Sequence, residues 1–146
     1  MIRIHEQRTI PIPAEDTFAF VADFSNVAQW DPGITESSKI GDGPVGVGTE
    51  FAVVSEFAGR TLPLTYVIEE WDPPRRVVLF TSTSRFEGRD TITFRSSDRG
   101  TEVDYLAEFS FKGLMRLAEP FLGRTFDKIG REAMDGMVAA ADARVR

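Results

Sequence analysis

Apolar residues recur at alternate positions over residues 2–12 (Ile2, Ile4, Ile10, Ile12), with Glu6 and Arg8 in the same phase. This period of two predicts a half-buried strand, which Pro11 and Pro13 close. Residues 14–22 begin with Glu15 and Asp16, where acids suit a helix N-terminus, and put Phe18, Val21 and Ala22 on one face. A short helix is expected there. Asp23 and Ser25 offer caps for a second short helix through Val27 to Trp30, and Asp31-Pro32 ends it because the residue before proline avoids the α region.

The pattern then changes to strands and turns. Residues 34–40 read as a strand, and after the glycine-rich stretch 41–48 residues 49–57 set Phe51, Val53 and Phe57 in alternation against Glu50 and Glu56, before Ala58-Gly59-Arg60 turns the chain back. Further strands are expected at about 62–71, 77–84, 88–95 and 101–111, separated by Asp72-Pro73-Pro74 and two hairpin-length connections. From Leu114 the period becomes helical: Met115, Ala118, Leu122, Phe126, Ile129, Ala133, Met137 and Ala140 fall at spacings of three and four. Pro120 and Gly123 should kink or delay the start of this helix, and Gly130 and Gly136 each cost about 1 kcal/mol unless close packing needs them. Pairs at i, i+4 (Asp127 with Arg131, Asp142 with Arg146) support its outer face.

Strand, two short helices, six strands and a long helix make an α+β fold. Seven antiparallel strands form a curved sheet that must bury the stripe of the terminal helix. The 146 residues suit one domain, 1–146. A broad twisted sheet facing a helix with Gly and Ala on its stripe is expected to leave a cavity between them.

Composition narrows what such a cavity can do. Twelve Phe against two Trp and two Tyr make most of the aromatic mass apolar. A formal charge of −6 argues against a nucleic-acid partner, which needs a basic surface. No apolar run is long enough to span a bilayer, no Lys/Arg run makes a polybasic patch, and residues 1–13 lack a signal-peptide pattern. A cytoplasmic location without integral membrane association is expected; oligomeric state stays open. With no Cys and only His5, thiol nucleophiles, His-based triads and His/Cys zinc sites are unavailable. No metal or other cofactor is expected.

Several residues have both a structural and a functional reading. Gly41-Asp42-Gly43-Pro44-Val45-Gly46 fits G-x-G-x-x-G, but a strand follows it where a dinucleotide site needs a helix, so it reads as a turn. Trp30 is placed either at a pocket mouth or as a core plug, with the core role favoured. Tyr66 and Tyr105 offer hydroxyls to orient a ligand carbonyl or simply reach the rim. Asp90 shares the phase of Ile92 and Phe94, which makes it a general-base candidate, against the favoured alternative of an ion pair with Arg89 or Arg85. Glu6 and Arg8 form either an internal pair or, as favoured, an exposed rim. Phe51, Phe80, Phe94, Phe109, Phe121 and Phe126 are candidates to line the pocket or to fill it.

Four segments, PAEDTFAFVADFSNVAQWDP (13–32), GDGPVGVGTEF (41–51), VIEEWDPPRRV (67–77) and GTEVDYLAEF (100–109), together resemble the polyketide cyclase/dehydrase and lipid-transport family. That family belongs to the START-like, birch-pollen-allergen-like (SRPBCC) superfamily. The resemblance runs in order along nearly the whole chain and implies the helix-grip fold. It also implies binding or transport of a small hydrophobic ligand, lipid or polyketide-like, in an internal cavity. A cyclase/dehydratase enzyme without metal or nucleotide cofactor, or a regulatory protein-interaction domain, are the alternatives. No catalytic residue carries across from the shared motifs, which are structural.

Overall fold

The computed structural model describes residues 1–144. Its elements are β1 (Ile2–Ile10), α1 (Ala14–Val21), a 3₁₀ turn (Phe24–Asn26), α2 (Val27–Trp30), β2 (Ile34–Ile40), β3 (Glu50–Phe57), β4 (Arg60–Asp72), β5 (Arg76–Ser82), β6 (Phe86–Ser97), β7 (Gly100–Phe111), a second 3₁₀ turn (Gly113–Leu117) and α3 (Glu119–Arg144). All seven strands pair antiparallel in one sheet ordered β1-β7-β6-β5-β4-β3-β2. The N-terminal strand therefore lies beside the last one, and the two short helices carry the chain from one edge of the sheet to the other. This is the expected α+β helix-grip arrangement, with β1 ending at Ile10, just before Pro11, and α2 reduced to a single turn.

Local chemistry accounts for the corners. Asp23 caps the 3₁₀ turn by accepting from the Ser25 backbone N–H at 3.0 Å, and the Ser25 hydroxyl donates to the same carboxylate rather than capping in turn. An extra residue, Glu69, sits in β4 where the β4–β5 register shifts between Ile68 and Glu70, the kind of bulge that bends a strand. The stretch 41–48 links β2 to β3 and leads into a strand, as its context requires.

Helix α3 starts later than its periodicity suggests. The 3₁₀ turn delays it to Glu119, and Pro120 lies in its first turn, where the missing N–H breaks no helical bond. The helix packs on β1 and α2 and buries Phe126, Ala133, Met134, Met137 and Ala141. Its glycines act opposite to the sequence reading, in which small residues widen the gap. A Cβ on Gly130 would lie 2.4 Å from Ile4 Cγ2, and one on Gly136 would lie 2.1 Å from the Trp30 carbonyl oxygen. Both bring α3 closer to its neighbours. On the outer face the helical ion pair is Lys128–Glu132 at 3.8 Å; Arg146 lies outside the described residues.

Two apolar clusters result. The larger joins α1, α2 and the α3 C-terminal half to the concave face through Phe18, Phe24, Trp30, Phe51, Leu79, Ile92 and Met137. The smaller gathers Ile2, Ile4, Ala107 and Phe126 under the first turns of α3, with Phe57, Phe109 and Phe111 against it.

Candidate functional site

Strand alternation points Gly88, Asp90, Ile92 and Phe94 of β6 to the concave side, where all four are buried. Asp90 is only 4% exposed. Its favoured ionic partners do not reach it: Arg89 lies on the opposite face and pairs with Glu69 at 2.8 Å, and Arg85 sits exposed in the β5–β6 turn. The expected ion pair is thus replaced by a neutral donor. The Tyr105 hydroxyl donates to Asp90 Oδ2 at 2.5 Å, while Oδ1 is buried with no partner among the described residues.

Two further buried polar groups lie on elements next to this pair. The indole N–H of Trp30 and the hydroxyl of Thr81 are likewise buried without partners among the described residues. Trp30 meets the Tyr105 ring edge-on at 6.2 Å between centroids. Cross-strand pairing sets Tyr66 opposite Thr81, Thr81 opposite Gly88, and Gly88 opposite Phe109, in one row across the concave face. Gly88 is the thin point of that row, since a Cβ there would press the Phe109 ring at 3.1 Å. Leaving three buried polar atoms unmatched costs on the order of 1–3 kcal/mol each, a cost that structure alone does not require.

The electrostatics follow from burial. Desolvation raises the Asp90 pKa to about 7, the Tyr105 hydrogen bond opposes that rise, and the charge on Asp31 adds to it. Asp31, at the end of α2, is itself raised to about 6 by desolvation, against the stabilising Gly33 N–H, which donates to it at 2.9 Å. Burial, then the charge on Asp90, pushes the Tyr66 and Tyr105 hydroxyls well above the usual tyrosine range. Near neutral pH Asp90 therefore sits between acid and base forms, able to accept a proton or a hydrogen bond from a group placed beside Oδ1. Among the described residues no group of three or more His, Cys, Asp or Glu side chains is placed to hold a metal ion.

The aromatic candidates separate into three sets. Phe51 and Phe94 are core residues, against Phe24 and Phe18 at centroid distances of 6.4 and 5.1 Å. Phe109 and Phe126 meet at 4.9 Å under the first turns of α3. Phe80 and Phe121 must be corrected. Phe80 projects from the outer face of β5, where the Arg89 guanidinium stacks on it at 4.9 Å, because Val77, Leu79 and Thr81 take the inward phase. Phe121 is 83% exposed, because it stands off the inward stripe of α3 that runs through Leu122, Phe126 and Ala133. Trp30 and Tyr66 are buried, and Tyr105 is partly accessible. Glu6 and Arg8 pair with each other at 3.6 Å, and Arg8 also reaches Asp135 of α3 at 3.2 Å, so they are a half-buried clasp between β1 and α3. Sequence reasoning missed Thr81, Gly88 and Asp31. Thr81 was detectable as the polar residue in phase with Val77 and Leu79.

The rings of Phe24, Trp30 and Tyr66 pack against one another in the larger cluster, in the region where the hollow is expected. Two open concavities lie elsewhere among the described residues. One, of about 390 Å³, is at the corner of Pro11–Ala14 with the β6–β7 turn. The other, of about 620 Å³, includes Gln7, Thr9, Thr93, Arg95 and Asp104 from the outer sides of β1, β6 and β7.

The architecture is shared with solved structures. TTHA0849 from Thermus thermophilus superposes with a TM-score of 0.83 at 16% identity, covering 99% of each chain. The Zhui aromatase/cyclase from Streptomyces sp. R1128 gives 0.82 at 15% identity, over 99% of this chain and 95% of that one. Ara h 8.0201 gives 0.62 at 19% identity, over 94% and 97%. At these identities the likeness is one of fold. No curated protein matches the sequence. Residues 1–142 match the family described as polyketide cyclase / dehydrase and lipid transport, and with almost all of its length inside that match the chain belongs to this family.

Proposed function

We propose that this chain is a single-domain, cytoplasmic binder of a small hydrophobic molecule whose one or two oxygens meet the cluster of Asp90, Tyr105, Thr81 and Trp30. The observation that carries the reading is a set of buried polar atoms left unmatched in an otherwise apolar interior: Asp90 Oδ1, Thr81 Oγ1 and Trp30 Nε1. An acceptor and two donors in that setting suit a ligand hydroxyl and a ligand carbonyl. Family membership supports the hydrophobic character of that ligand. Because rings occupy the space, ligand entry displaces side chains, with half-buried Tyr105 and Phe109 the nearest that have room to turn. Solvent extraction of purified protein with mass spectrometry of the extract, repeated on Asp90→Leu/Thr81→Val protein, tests this. A ligand carried by the native chain and lost from the variant is expected; native protein that carries none and takes up no fluorescent aromatic probe overturns it.

A second reading, a cyclase or dehydratase, is favoured by one feature. A desolvated carboxyl with its pKa near 7 is suited to take a proton from carbon next to a ligand carbonyl. The electron pair would pass to the carbonyl oxygen as an enolate, to which Trp30 Nε1–H is the unused donor. Among the structural neighbours is the Zhui aromatase/cyclase. Turnover of a poly-β-ketone analogue that Asp90→Asn abolishes while binding persists would select this reading; binding without turnover leaves the carrier.

A further inference from the structure

We infer that the end of the molecule formed by the 3₁₀ turn Gly113–Leu117 and the first turn of α3 is a docking surface for an anionic lipid bilayer. Leu114, Leu117 and Phe121 are 86, 73 and 83% exposed, half of the six large hydrophobic side chains that lie open on the surface of the described residues. Spacings of three and then four put them in one stripe, since i and i+3 eclipse in a 3₁₀ turn and i and i+4 share a helix face. Exposed singly, such residues need no explanation; three in one stripe mark a contact.

Charge identifies the occupant. Lys112, Arg116 and Arg124 flank the stripe, and two turns bring further arginines to the same end. Phe57, beside Arg60 in the β3–β4 turn, meets Phe126 at 5.4 Å, and the backbone N–H of Lys112 donates to the Arg85 carbonyl at 2.8 Å. Of the acids here, Glu87 is taken by Lys112 at 3.4 Å and Glu119 by the N-terminal amine at 2.9 Å, which leaves Glu56 and Asp127. Arg60, Arg85, Arg116 and Arg124 make no ion pair among the described residues. This is a basic collar round an apolar stripe on a chain whose formal charge is −6. Such a surface matches the boundary of a bilayer, with side chains in the acyl region and guanidinium groups among anionic headgroups. A second copy fits less well, because a two-fold contact would set the collar against itself.

The experiment reads membrane association directly and does not depend on ligand binding inside the sheet. Co-sedimentation is measured with vesicles of phosphatidylcholine alone and with 30% phosphatidylglycerol, at about 0.05 and 0.5 M salt. Binding is expected only to the anionic vesicles and is expected to weaken at high salt. Leu117→Ser/Phe121→Ser should lower the partition coefficient about tenfold or more, and Arg116→Gln/Arg124→Gln should lower it severalfold. Ile40→Ser/Val47→Ser, which removes exposed apolar residues elsewhere, should leave it unchanged. Thermal melts confirm that each variant is folded. The inference is overturned by absent binding to anionic vesicles, by equal binding to neutral ones, by indifference to the Leu117/Phe121 change, or by light scattering that shows a dimer which that change dissolves.

Discussion

Tyr105 and Asp90 are diagonal neighbours across the β6–β7 pair: Asp90 stands opposite Ala107, Tyr105 stands opposite Ile92, and the phenol reaches back to the carboxyl at 2.5 Å. Strand pairing thus delivers one donor to one oxygen and leaves the other oxygen without a partner among the described residues. The β6–β7 register sets the pair side by side, so the chemistry of the cluster depends on the charge state of Asp90.

That charge state makes stability depend on pH. With a native pKa of about 7 against an ordinary value of 3.8, the folded chain holds more protons than the unfolded chain between those values. Stability from this residue is therefore full below about pH 4 and is lost as pH rises toward and past 7. Asp90→Asn cannot ionise, and its Oδ1 can still accept from Tyr105. The variant should gain on the native protein by on the order of 3 kcal/mol between pH 4 and 8, with the raised Asp31 adding a slope of its own in each protein. Urea unfolding at several pH values measures the difference; a constant offset across that range would disprove the perturbed Asp90.

Tyr105→Phe acts on the same carboxyl from the other side. The phenol hydrogen bond favours the ionised form, so its loss should raise the Asp90 pKa further. The cost should be about 1–3 kcal/mol at pH 8, where a charged Asp90 would have lost its donor, and smaller at pH 4. Carbon-13 NMR of the Asp90 carboxyl follows both effects. A titration midpoint that falls on mutation would show that Tyr105 does not donate to it.

Much of this arrangement was legible in the sequence because alternation is a local property. The phase of Gly88, Asp90, Ile92 and Phe94 sets their common face, and the period of α3 identifies Ala133 and Met137 as buried. What alternation does not give is the partner. Asp90 was expected beside Arg89 or Arg85, yet adjacent residues in a strand face opposite ways, and the true partner, Tyr105, is specified by the β6–β7 register. Phe121 fails for a simpler reason: five residues before Phe126, it lies off the Leu122–Phe126–Ala133–Met137 stripe that the helical period itself defines. The basic collar was invisible for a different reason: Arg60, Arg85, Arg116 and Arg124 come from the start of β4, the β5–β6 turn, the 3₁₀ turn and α3, and never form a run.

Two glycines in α3 test the closeness of the grip. Alanine at an exposed helical position normally gains about 1 kcal/mol over glycine. At Gly136 the added methyl meets the Trp30 carbonyl at 2.1 Å, a backbone atom that moves only if α2 moves, and a net loss of about 1–3 kcal/mol is expected. At Gly130 it meets Ile4 Cγ2, a methyl on the β-carbon of a branched side chain that can yield by turning about χ1 where a backbone atom cannot, and the loss should be smaller. Ile4→Ala should rescue Gly130→Ala in a double-mutant cycle and do nothing for Gly136→Ala. Equal stability of both single variants would mean that α3 lies farther from α2.

Thr81 provides the sharpest separation of stability from function. Its hydroxyl is buried, has no partner among the described residues, and lies opposite Tyr66 and Gly88 in the centre of the concave face. Valine has nearly the same shape, is better suited to a strand and brings no unmatched oxygen. In a site without function Thr81→Val would be an improvement with no drawback, and an increase in stability of about 1 kcal/mol is expected from urea unfolding of ligand-free protein. If the hydroxyl instead completes a ligand contact, the same change should weaken ligand retention about tenfold, because the ligand oxygen then loses its donor. Higher stability together with unchanged retention would remove Thr81 from the site. A loss of stability greater than about 1 kcal/mol would mean that the hydroxyl already has a partner, such as a bound water, in the resting protein.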